Sequence, residues 1–203
     1  FVRVSRALAK AGYAVLRMDY RGMGDSNGEK RDFLAVDDDI KAGIDLLFEH
    51  VASVQRVALW GLCDAASAAL LYLHATHDKR VRGLCLLNPW IRSEASLAKI
   101  QVRHYYLDRL RQSDFWFKLA SGRVAWDAVS GFVRNVRMSR KTGSKAGART
   151  NLAFQDRMAE AWLAFDGPVA LLLSGDDYTA REFVEYAQSS ASWASAMAKD
   201  TLN

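Results

Sequence analysis

Apolar runs and helical patterns alternate along the first 90 residues of the chain. Apolar side chains recur at helical spacing over residues 1–11, and Gly12 ends this pattern. Mostly apolar runs that predict buried strands follow at residues 13–20, 54–62 and 81–90. Helices are predicted between them, over residues 40–51 and 65–76. This alternation is typical of a mostly parallel sheet that is covered by helices on both faces.

The alternation stops after residue 90. Residues 91–165 contain helical patterns but no convincing strand, and an apolar run followed by a helical pattern resumes at residues 167–188. A helical insertion followed by a return to the sheet predicts a core with a cap or lid. We therefore expect a first core part over 1–90, a cap with a basic loop over 91–165, and an incomplete second core part over 166–203.

The formal net charge of the chain is +5, and the charged residues are distributed unevenly along the sequence. Residues 92–149 hold 13 Lys or Arg and 4 Asp or Glu, so the remainder of the chain is acidic on balance. The basic region either attracts an anionic ligand or is ordinary solvated surface. No motif combines this region with aromatic residues in a nucleic-acid-binding spacing, and we predict no nucleic-acid partner.

The remaining composition is ordinary for a soluble globular protein, and we expect no cofactor. Two cysteines in 203 residues exclude a disulfide scaffold and suit a reducing compartment, so a cytoplasmic location is expected. No apolar run approaches the roughly 20 residues of a transmembrane helix. Asp37, Asp38 and Asp39 begin a predicted helix, where carboxylates are favourable, and no second cluster of ligands supports a metal site. The oligomeric state stays open.

The candidate chemistry lies where strand 54–62 meets helix 65–76, in the sequence Gly-Leu-Cys-Asp-Ala. In a nucleophile elbow, a reactive residue occupies a tight strand-to-helix turn that requires small neighbours, here Gly61 and Ala65. Cys63 would be the nucleophile at a helix N-terminus, and the backbone N–H of Asp64 would contribute to an oxyanion hole. The alternative is that Cys63 is a buried packing residue, as is predicted for Cys85 within its apolar run.

Several motifs together resemble a known family. The segments "DYRGMGDSNG", "LWGLCDAASAALLY", "LLNPWIRSE" and "LLLSGDD" follow the order of an α/β-hydrolase. With "RHYYLDRLRQSDFW", the chain resembles the hydrolase 1 family that is associated with the bacterial exosortase A system. This resemblance implies the α/β-hydrolase fold and a link to exopolysaccharide production and protein sorting. The expected fold is thus an α/β-hydrolase with a helical cap inserted before the acid strand, truncated at both ends.

The resemblance also implies a catalytic triad. Cys63 matches the nucleophile, and the acid follows the strand in segment 167–177, which ends in "SGDD", with Asp177 preferred and Asp176 as the alternative. The triad histidine is expected beyond the C-terminus, because all four histidines of the chain precede these carboxylates: His50, His74, His77 and His104. Four residues at the strand end and on the cap are candidates for substrate binding: Trp90, Arg103, His104 and Arg109.

Two functions remain open at this level. The first is a hydrolase, or an acyltransferase, that acts on an ester or thioester through Cys63. Its acyl substrate would be a small molecule or linked to a lipid or saccharide. The second is a non-catalytic binding module in an envelope-polysaccharide assembly complex. In the absence of the base, the 203-residue chain by itself is expected to be inactive.

Overall fold

A parallel sheet organises the part of the chain that the computed structural model describes, residues 1–92 and 152–200. Its three strands within these ranges are β1 (Val57–Leu62), β2 (Val81–Leu87) and β3 (Val169–Leu172), in the order β1-β2-β3. Both pairs are parallel, and Leu62, Leu87 and Leu172 lie in register. The carboxyl ends of the strands therefore meet at one edge of the sheet, and the residues after them are brought together there.

The helices precede, connect and follow these strands. They are α1 (Val2–Lys10), α2 (Asp37–His50), α3 (Asp64–Thr76), α4 (Phe154–Ala164), α5 (Tyr178–Ser189) and α6 (Ala191–Asp200), with a short 3₁₀ helix at Phe33–Ala35. Within the described ranges, the helices and strands predicted from the apolar pattern are thus present, except at residues 13–20. No helix within the described ranges is long and apolar enough to cross a membrane.

Helix α3 forms the centre of the core. Every residue from Ala66 to Leu73 is buried, as expected for a helix that is apolar around its whole circumference. It packs against β1 and β2 as well as against α2 and α4. This enclosure fixes the start of α3, and with it the turn that connects β1 to the helix.

Residues 13–20 were predicted as a buried strand, and this prediction is wrong because they form no strand. Leu16 and Met18 lie beside α2, since a Cβ atom added at Gly43 would overlap Met18 and contact Leu16. Most of the run is nevertheless exposed, including Tyr13 and Val15. A strand requires a ladder of backbone hydrogen bonds to a neighbouring strand, and an apolar run by itself provides neither this ladder nor burial.

The chain divides into two units, one of Phe1–Ile91 with Leu152–Asn203 and one of Arg92–Asn151. Most of the predicted cap, including Arg103, His104 and Arg109, lies outside the described residues. Helix α4 falls at the end of the range predicted as cap, and it packs on α3 and α6 of the first unit.

Candidate active site

Cys63 occupies the turn between the sheet and the buried helix. It is the single residue between Leu62, where β1 ends, and Asp64, where α3 begins. Its backbone angles are φ +58° and ψ −118°, a sparsely populated conformation for a residue with a side chain that costs about 1–3 kcal/mol. Such strain persists only where the surrounding structure enforces it, and it is common at reactive sites.

Gly61 allows this tight turn. A Cβ atom at Gly61 would overlap the carbonyl carbon of Ala65 and the backbone nitrogen of Ala66. The strand and the helix therefore approach each other so closely that only a hydrogen atom fits at position 61. Ala65, on the other side of the turn, is half-buried.

The backbone of Cys63 is hydrogen-bonded to the last residue of β2 and to the segment after it. Its N–H donates to the carbonyl oxygen of Leu87 at 2.9 Å, and its carbonyl oxygen accepts from the N–H of Trp90 at 3.2 Å. The buried Ser67 hydroxyl donates to the carbonyl oxygen of Trp90 at 2.6 Å and strengthens this connection. These hydrogen bonds to the end of the neighbouring strand fix the turn. Ser67 contributes one of them, which was not predicted from the sequence.

Asp64, the residue after Cys63, interacts electrostatically with Tyr20. The exposed Asp64 carboxylate accepts a hydrogen bond from the N–H of Ala65 at 2.9 Å. Burial, with smaller contributions from the Asp64 and Asp39 carboxylates, raises the pKa of Tyr20 to about 12. The Tyr20 hydroxyl is therefore protonated at neutral pH. In the sequence, Tyr20 is only the last residue of an apolar run, and the turn motif after it does not indicate its proximity to Asp64 and Asp39.

The two candidate acids follow β3 and differ in their contacts. Asp177 is the N-cap of α5, where its Oδ1 accepts from the N–H of Thr179 at 2.7 Å and of Ala180 at 3.2 Å. Asp176 is fully exposed and lies 3.9 Å from Arg181. The capping bonds of Asp177 use one carboxylate oxygen, and a carboxylate has a second oxygen that can accept from another donor.

The topology places Cys63 and this acidic loop at the same edge of the sheet. Cys63 follows β1, the acidic loop follows β3, and β2 lies between these two strands. Two strand spacings amount to about 10 Å. An imidazole ring is a group that can bridge such a gap and couple a carboxylate to a nucleophile.

No histidine of the described ranges, 1–92 and 152–200, occupies that position. His74 and His77 lie at the end of α3 opposite to Cys63, and His74 Nε2 is 2.9 Å from Glu160. His50 is exposed at the end of α2. Among the same residues, no cluster of three or more side chains could hold a metal ion.

Comparison with protein families shows to which family the chain belongs. The family model described as serine aminopeptidase, S33, matches residues 1–180. The chain belongs to the S33 family. The α/β-hydrolase fold class predicted from the sequence is thereby confirmed. The S33 family is named for serine enzymes, whereas this member carries Cys63 at its strand-to-helix turn. Comparison with curated proteins and with solved structures found no match.

Proposed function

We propose that this S33-family hydrolase uses Cys63 as its nucleophile on an ester or thioester. The observation that carries the proposal is the strained conformation of Cys63 at the one-residue turn between β1 and α3. A thiolate at the N-terminus of a helix is stabilised by the helix dipole and by free backbone N–H groups. A cysteine retained in a strained turn is more consistent with reactivity than with packing.

The proposed reaction proceeds through a thioacyl intermediate. The Cys63 sulfur attacks the carbonyl carbon, and the backbone N–H of Asp64 stabilises the resulting oxyanion. When the carbon–oxygen or carbon–sulfur bond of the substrate breaks, the leaving alcohol or thiol takes a proton from the general acid–base. Water then attacks the thioacyl group and releases the carboxylic acid and the free thiol. A different acceptor in this second step makes the protein an acyltransferase.

Asp177 is the carboxylate that we propose as the third member of a triad, with Asp176 as the alternative. Asp177 is supported by its fixed position at the start of α5, because its capping hydrogen bonds hold the side chain. The base that it orients is proposed to be a histidine outside the described residues. His104 is a further candidate within the chain.

The substrate is proposed to be an acyl group linked to a lipid or saccharide. The resemblance of the sequence motifs to the exosortase A system-associated hydrolases supports this class and a role in exopolysaccharide production. Trp90 is half-buried, lies in the segment after β2 and is hydrogen-bonded to Cys63 through its backbone, and we propose that its aromatic ring contacts such a substrate. The low cysteine content, two in 203 residues, supports a reducing, cytoplasmic compartment.

Acylation of the full-length protein by p-nitrophenyl acetate tests the nucleophile. Mass spectrometry of the intact protein should detect one acetyl adduct, which disappears in Cys63→Ala. Cys85→Ala is the matched control and should retain the adduct, since burial raises the pKa of the Cys85 thiol and lowers its reactivity. An unchanged adduct in Cys63→Ala contradicts the proposal, and a protein that is never acylated supports the non-catalytic binding module.

A further inference from the structure

The last residue of β2 and the residue after it contact both halves of the proposed site. Leu87 accepts the hydrogen bond from the N–H of Cys63, at 2.9 Å. The next residue, Asn88, donates its backbone N–H to the carbonyl oxygen of Leu172, the last residue of β3, at 3.0 Å. Two consecutive residues therefore connect the nucleophile turn on one side with the strand of the acidic loop on the other.

The side chain of Asn88 extends this connection beyond the end of β3. Its Oδ1 accepts a hydrogen bond from the backbone N–H of Ser174 at 2.9 Å. Ser174 in turn accepts from the N–H of Asp177 at 3.4 Å through its carbonyl oxygen. The loop that carries the candidate acids is exposed to solvent, and the amide of Asn88 supplies a fixed partner for its first turn.

The backbone of Asn88 narrows the choice of residue at this position. Asn88 is 8% exposed and has a φ of +43°, in the left-handed region. Glycine adopts this conformation without strain, and asparagine adopts it more readily than most other residues. Glycine has no side-chain acceptor for the Ser174 N–H, so asparagine satisfies both the backbone and the hydrogen bond.

We propose that Asn88 is a positioning residue that holds the acidic loop of Asp176 and Asp177 in place relative to Cys63. The inference rests on the proposed function, in which Cys63 is the nucleophile and a carboxylate of this loop is the acid. Asn88 acts through the backbone of Ser174 and does not itself contact the substrate. The sequence motif "LLNPW" contains Asn88, but an asparagine before proline is typical of any loop.

Two variants of Asn88 in the full-length protein separate positioning from folding. Asn88→Gly keeps the left-handed backbone and removes the acceptor, and kcat for p-nitrophenyl acetate should fall about 10-fold or more, since small displacements of catalytic groups cost up to ~100-fold. KM should change less than about 3-fold, because Asn88 does not bind the substrate. Asn88→Asp retains an oxygen acceptor and should recover most of kcat.

Hydrogen exchange of the wild-type protein gives a second test that needs no variant. The Ser174 amide should have a clearly higher protection factor than the amide of Gly175, its exposed neighbour. Equal protection of these two amides overturns the inference, as does a wild-type kcat in Asn88→Gly while Cys63→Ala is inactive. If Cys63→Ala itself retains full turnover, the proposed function fails, and the role of Asn88 fails with it.

Discussion

The backbone N–H of Trp90 donates a hydrogen bond to the carbonyl oxygen of Cys63, over 3.2 Å. The hydroxyl of Ser67, one helical turn after Cys63, donates a second hydrogen bond, to the carbonyl oxygen of Trp90 at 2.6 Å. These bonds link the nucleophile turn, the buried helix and the end of the neighbouring strand. The position of Cys63 is therefore set by three elements of the core and not by the turn alone.

Ser67→Ala should destabilise the protein by about 1–3 kcal/mol, because it removes the hydrogen bond of the fully buried Ser67 hydroxyl to the carbonyl oxygen of Trp90. Urea unfolding at neutral pH measures this difference. Ser195→Ala is the matched control, since the exposed Ser195 hydroxyl donates to Ala191 on its own helix and its loss should change little. Equal effects of the two substitutions would mean that the Ser67 bond contributes no more than a surface contact.

Gly61→Ala should destabilise the protein by about 1–3 kcal/mol, because the new methyl group overlaps the backbone of Ala65 and Ala66. Backbone atoms of a buried helix cannot move aside as a side chain can. Gly83→Ala, in the neighbouring strand, is the control: its methyl group would first meet Ala58 Cβ at 3.4 Å, which demands only a small adjustment. Thermal melts compare the two variants, and a Gly61→Ala variant that melts with the wild type would exclude the close approach.

Cys63→Gly should be more stable than Cys63→Ala by about 1 kcal/mol. Alanine keeps the strain of a positive φ, about 1–3 kcal/mol, and glycine removes it at an entropic cost of about 0.5–1 kcal/mol. Denaturant unfolding of both variants gives the difference directly. If alanine is as stable as glycine at this position, the turn at Cys63 is not strained in solution.

Asp78→Asn should cost about 2 kcal/mol at pH 7, since Asp78 accepts charged hydrogen bonds from Arg80 and a further one from Tyr72. These hydrogen bonds, chiefly those from Arg80, lower the pKa of the Asp78 carboxyl well below its ordinary value. The carboxylate therefore stabilises the folded state above about pH 4, and this contribution is lost as the pH falls further.

Urea unfolding of wild type and Asp78→Asn between pH 7 and pH 2 tests this dependence. The difference between the two proteins should narrow below about pH 4. Asp45→Asn removes the other carboxylate that contacts Arg80, and it should have a smaller effect because Asp45 is half-exposed. A difference that stays constant over the whole pH range would contradict the assignment to the Asp78 carboxylate.

The central part of the fold was predictable because its signals are local. The apolar run of β1, the small residues around Cys63 and the apolar helix α3 follow each other within residues 57–76. Each constrains the next: a strand that ends at Leu62 can turn into a helix through one residue only if the neighbouring side chains are small. The acidic loop was predictable for a similar reason, since it directly follows the apolar run of β3.

The contacts between distant segments could not be predicted in this way. The bond from Asn88 to Ser174 joins residues that are far apart in the sequence, and neither residue type distinguishes it from any other loop. The prediction of a strand at residues 13–20 failed for a related reason, because an apolar run does not specify its partner. In the same way, the sequence of the two adjacent aspartates, Asp176 and Asp177, did not indicate which carboxylate caps α5.

The order of the strands has a consequence for how the protein folds. The connection from β1 to β2 is the short segment 63–80, whereas β2 and β3 pair only after residues 88–168 are looped out. Closing the longer loop costs ~1 kcal/mol more in chain entropy. We expect β1, α3 and β2 to assemble first as a nucleus of local contacts, with the Cys63 turn formed before β3 docks. The thiol would thus acquire its strained geometry on the folding pathway before the carboxylates arrive, and the docking of one short strand would complete the arrangement.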